Sequence, residues 1–141
     1  MQQPRPREKA WNLVCEWTKS DSLRRHMLAV EAAMRAYAPR FDGDPELWGL
    51  TGLLHDLDYE RHPNLQDGHP RYAMRELQVR GYPPELVRGV ASHADSMGVP
   101  RNTPMEKTLY AVDELSGFVL ACAYLRPDGL VGMTPKSVKR S

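Results

Sequence analysis

Three features of this sequence predict an all-α fold. Apolar residues recur at steps of three and four, the spacing that lines one face of a helix. Proline and glycine cut the chain into helix-sized pieces. No segment makes a convincing strand. The expected architecture is a single compact bundle of five to six main helices over residues 1–141, with its core within about 8–127 and an irregular basic tail over 128–141.

Each element has its own signal. Glu8 to Lys19 carries Trp11, Val14, Cys15 and Trp17 as an apolar stripe. Ser20 or Asp21 can cap a second helix, in which Leu23, Met27, Val30, Met34 and Tyr37 share a face. Asp44-Pro45-Glu46 places a cap before proline at the first helical position and leads into Leu47, Leu50, Leu53 and Leu54. Residues Asp58 to Gly68 read as a polar loop. A fourth helix runs from about Pro70 to Gln78 or Arg80 and closes on Gly81. The fifth spans Pro84 to about Ser96. Thr103-Pro104-Met105-Glu106 has the form of a capping box and opens the longest apolar helix, which stops near Pro127.

Composition narrows the function classes. A chain of 141 residues can hold a real core without staples, and 41% hydrophobic with 26% charged residues is a globular mix. A net charge of +1 provides no global field to recruit a nucleic acid duplex or anionic lipid. The start, MQQPRPREKAW, lacks a signal-type apolar region, and no stretch approaches a membrane span, so a cytoplasmic protein is expected. Cys15 and Cys122 sit in apolar helical contexts and read as buried free thiols.

Leu53-Leu54 runs straight into His55-Asp56, and burying that pair without partners would be costly. His26, His69 and His93 also lie on or at the edge of separate helices, and Asp113 stands inside the most apolar one. Each has an ordinary structural reading: a hydrogen-bonded histidine, a helix-start residue, an aspartate paired with arginine. Together, imidazole nitrogens and carboxylate oxygens suit iron, manganese, zinc, cobalt or nickel.

The order His26, His55-Asp56, His93, Asp113 resembles the HD superfamily of metal-dependent phosphohydrolases, over about Leu23 to Arg126. HMLAVEAAMRAYA resembles the helix of the first ligand, GLLHDLDYE the signature, and MEKTLYAVDEL the helix of the last aspartate. The resemblance implies an HD-type bundle in which His26, His55, Asp56 and Asp113 hold one divalent metal. His69 and His93 fall where two-metal members place extra histidines, and Asp56 would then bridge. It implies hydrolysis of a nucleotide or other small phosphoester by a metal-bound hydroxide. Members that cleave cyclic dinucleotides read HDIGK, where this chain has HDLDY, and their GYP segment is absent from its usual context. The segment MEKTLYAVDELSGFVLACAYLRP is closer to small bacterial HD hydrolases that act on dinucleoside polyphosphates.

Supporting roles fall to other polar groups. Arg101, and Arg24 or Arg25 beside His26, are candidates to fork onto phosphate, as are Lys136 and Lys139 in the tail. Asp58 and Glu60 are candidate proton carriers, and Asp95 a candidate acceptor for the His93 ring. Trp11, Trp17 and Trp48 read as packing. An exposed face of the first helix is a candidate homodimer surface. Three rival readings stand beside the hydrolase: a mixed-valence di-iron oxygenase with the same six ligands, a non-catalytic nucleotide-binding domain, and a plain helical interaction module.

Overall fold

The computed structural model describes residues 5–125, with side chains through residue 117. Six helices follow one another: α1 (Pro6–Trp17), α2 (Asp21–Tyr37), α3 (Pro45–Leu54), α4 (Arg71–Val79), α5 (Pro84–His93) and α6 (Pro104–Leu125). Short 3-10 turns cover Ala38–Phe41 and Asp95–Met97, and no strand occurs among the described residues. The tail from residue 126, with Lys136 and Lys139, and the Cys122 side chain lie outside the described residues. Cys15 is a half-buried free thiol.

Local chemistry sets the helix ends. Ser20 Oγ accepts from Leu23 N at 3.3 Å, and Asp44 Oδ1 accepts from Glu46 N at 3.0 Å. At α6 the capping box is reciprocal: Glu106 N donates to Thr103 Oγ1 at 3.1 Å, while Thr103 N donates to Glu106 Oε1 at 2.9 Å. Helix α4 closes on Gly81, whose φ of 82° is left-handed, and Tyr82 N reaches back to Leu77 O at 3.0 Å.

Two ends differ from expectation. Helix α1 begins at Pro6, because proline tolerates a first helical position. Helix α5 stops at His93 rather than near Ser96, since Ala94 turns extended and Gly98 closes the following 3-10 turn at φ 65°. That early stop leaves His93 at a helix end. His69 likewise lies just ahead of α4, across a cis peptide to Pro70.

Helix α3 is the hub, with every residue from Trp48 to Leu54 buried. It packs against α1, α2 and α5, and α2 and α5 in turn pack against α6. Its glycines allow α2 to approach: a Cβ at Gly52 would stand 3.0 Å from Val30 O and from Met34 Cγ. Met27, Leu53, Leu54, Leu57, Leu77, Leu86 and Val90 form one part of the core, and Val30, Met34, Trp48, Met105, Leu109 and Val112 another. Trp11 and Trp17 pack against the first.

Candidate metal centre

Four helices and one loop deliver six side chains to a common centre. His26 comes from α2, His55 and Asp56 from the end of α3, His69 from the loop before α4, His93 from the end of α5, and Asp113 from α6. Two groups of ligand atoms form, each within 4.8 Å: His26, His55, Asp56 and Asp113, and then Asp56, His69 and His93. Asp56 belongs to both. Its Oδ2 lies 3.2 Å from His55 Nε2 and 3.5 Å from His26 Nε2, while Oδ1 lies 3.3 Å from His69 Nε2 and 3.4 Å from His93 Nε2. Asp113 Oδ1 completes the first group, 2.7 Å from His26 Nε2 and 3.0 Å from His55 Nε2.

The back of each buried ring explains its front. His55 Nδ1 donates to Gly52 O at 2.6 Å, and His93 Nδ1 donates to Val90 O, each using a carbonyl that the helix end leaves without an amide. His69 Nδ1 donates to Asp58 Oδ1 at 2.6 Å. A ring whose Nδ1 carries the proton presents a lone pair at Nε2 when neutral. His69 Nε2 and His93 Nε2 face each other at 3.1 Å, where two lone pairs repel unless a cation or an added proton lies between them. The donor set fits a bound divalent transition metal.

Electrostatics agree. Burial opposes charge on His55, but Asp56 and Asp113 outweigh it and hold its pKa well above the usual histidine value. Burial likewise favours a neutral Asp56, and His55 and His93 overcome it, keeping the carboxylate well below its ordinary range. Asp113 is also held ionised against burial, by hydrogen bonds from His26 and His55. The centre therefore concentrates anionic oxygen beside basic nitrogen.

Other candidates fall elsewhere. Asp58 is fully buried, with Oδ1 on His69 and Oδ2 accepting from Ala73 N at 2.9 Å. Sealed from water and with both oxygens engaged, it orients His69 rather than ferrying protons. Glu60 accepts from Lys19 N and Ser20 N, both at 2.8 Å, and so braces the α1–α2 turn. Arg24 donates to Thr18 O and Cys15 O at the end of α1. Arg25 is exposed and makes no ion pair among the described residues; neighbours on a helix point different ways, so it does not share the face of His26. Asp95 does not orient His93, whose Nδ1 is taken by Val90. Instead Asp95 holds Arg101 at 2.6 Å, and the Arg101 guanidinium lies 3.6 Å above the Tyr110 ring. Arg101 Nε is buried with no acceptor among the described residues. The anchoring of His69 by Asp58 escaped sequence reasoning, because it joins two loop positions that share no periodicity.

A family model of the HD domain matches residues 23–117, well over half of the chain and spanning every residue of the centre. The chain belongs to the HD domain family. No curated protein and no solved structure matches it. HD domains form a superfamily of metal-dependent hydrolases, and the all-α bundle and histidine–aspartate cluster of this one accord with that membership. Among the described residues, no helix is long and apolar enough to cross a membrane.

Proposed function

We propose that this HD domain is a metal-dependent phosphohydrolase that acts on a nucleotide or other small phosphoester through two divalent cations. The observation that carries the reading is the sharing of Asp56 between two ligand groups, one oxygen to each. His26, His55, Asp113 and Asp56 Oδ2 would hold one ion; Asp56 Oδ1, His69 and His93 would hold the other. Bound cations supply Lewis acidity, lowering the pKa of water and neutralising phosphate oxygens. Charge favours two of them. With Asp56 and Asp113 held ionised, one divalent cation leaves those groups formally neutral, whereas two leave the centre cationic and attractive to phosphate.

The protein's own groups prepare the site. Gly52, Asp58 and Val90 fix three imidazoles in the tautomer that aims Nε2 inward. Arg101, in the loop between His93 and the start of α6, has its guanidinium engaged by Asp95 and the Tyr110 ring.

Phosphate release from a panel of phosphoesters, with Mn, Co, Ni, Zn, Mg or Fe supplied in turn, tests the reading. Turnover that depends on a transition metal and is lost with Asp56→Ala is expected. Four imidazoles and two carboxylates are also a donor set that accepts iron. Oxygen consumption by the iron-loaded protein, with no phosphate release from any ester, would select the oxygenase reading instead.

A further inference from the structure

One aromatic ring of the signature loop is held by no hydrogen bond among the described residues. Its neighbours are all tied. Asp58 holds His69 and the Ala73 amide. Glu60 caps the α1–α2 turn, and Arg61 lies 4.6 Å over Trp17 while donating to Glu16 O. His62 stacks on Tyr72 at 3.7 Å with the rings nearly parallel. Tyr59 differs. It is 41% exposed, and its hydroxyl makes no hydrogen bond among the described residues. Its one ring contact is edge-to-face with His69, at 5.3 Å and 89°. His69 is also the residue whose Nε2 faces Asp56 and His93.

From this juxtaposition we infer that Tyr59 is a specificity-determining residue, a stacking platform that selects phosphoesters bearing an aromatic base. The inference rests on the phosphohydrolase reading and sharpens its substrate class. An ester whose phosphate reaches the centre beside His69 has the exposed Tyr59 ring 5.3 Å from that imidazole, within reach of the rest of its body. In a nucleoside monophosphate, the group one sugar away from phosphorus is a flat π-system, which stacks on an exposed phenol whatever its hydrogen-bonding pattern. In glycerol phosphate the same space holds only hydroxyls and gains nothing from the ring. Tyr59 thus distinguishes substrates by their leaving group and leaves phosphate recognition to the metals.

The test compares two probes on the metal-loaded full chain, adenosine monophosphate and glycerol phosphate, by calorimetric binding and by KM. Tyr59→Leu keeps apolar bulk at an exposed site, and Tyr59→Trp restores a ring. The expected result is roughly tenfold weaker binding of adenosine monophosphate by the leucine variant. Glycerol phosphate affinity and metal content should stay unchanged, and tryptophan should restore the nucleotide. Equal adenosine monophosphate affinity in wild type and Tyr59→Leu would overturn the stacking assignment alone. So would an equal loss for both probes, which would mark Tyr59 as a support for His69. Wild-type protein that neither binds nor cleaves adenosine monophosphate would overturn this inference, whereas the phosphohydrolase reading falls only if no ester of the wider panel releases phosphate.

Discussion

Asp58 and Glu31 show how single buried carboxylates divide the labour of this protein. Asp58 is invisible to solvent and acts through His69. Removing such a support from a ligand histidine typically costs 10–100-fold in metal affinity. Asp58→Ala should therefore weaken one ion by roughly that factor and leave the other in place, which competition with a chromogenic chelator would resolve. Glu31, on α2, accepts from Arg7 at 2.9 Å and from Arg35 at 3.0 Å. Burial pushes its pKa up, but the two guanidinium groups prevail and hold it below the ordinary glutamate value. A carboxylate depressed in the folded state lends stability that is fully present above its unfolded pKa. That stability is lost as pH falls through the lower, folded one. Wild-type Tm should fall as pH drops below about 4.3. Glu31→Gln should lose about 1–3 kcal/mol at neutral pH and show a shallower acid limb in thermal melts across pH. A slope identical to wild type would remove Glu31 from the acid response.

Among the helices, the close approach of α2 to α3 positions the centre, since His26 lies on one and His55-Asp56 at the end of the other. A methyl at Gly52 would press on the Val30 carbonyl, which cannot swing aside as a side chain could. Gly52→Ala is therefore expected to destabilise by about 1–3 kcal/mol in denaturant unfolding, despite alanine's better helix propensity. A gain in stability would show that α2 can shift freely. The capping box of α6 is a simpler case: Thr103→Ala should cost about 1 kcal/mol in the same measurement. Features of this kind were legible in the sequence because they are local: Ser20, Asp44-Pro45, Gly81 and Thr103–Glu106 each announce an end within a few residues. The end of α5 was not legible. Nothing in HADS forbids another helical turn, yet Ala94 leaves the helix and Asp95 pairs with Arg101 across the following loop.

Across the whole molecule, the histidines and aspartates that converge as a candidate ligand set were legible as an order in the sequence, but the groups around them were not. Asp58 with His69, or Arg101 with Tyr110, meet through tertiary packing that no spacing encodes. Arg25 and Glu60 were drawn to the site by sequence proximity alone, and helix direction and the α1–α2 turn carry them elsewhere. Cations that join α2, α3, α5, α6 and the loop before α4 should bind the folded chain far better than the unfolded one. Tm should then rise with free metal, by the equivalent of about 2.7 kcal/mol per site at a hundred times Kd, and fall back on chelation. The central claim is that Asp56 joins two cations, and elemental analysis of metal-reconstituted protein tests it most directly. Two equivalents in the wild type, one in His69→Ala and a collapse in Asp56→Ala are expected. The same metal content in all three proteins, or none in the wild type at saturating metal, would contradict it.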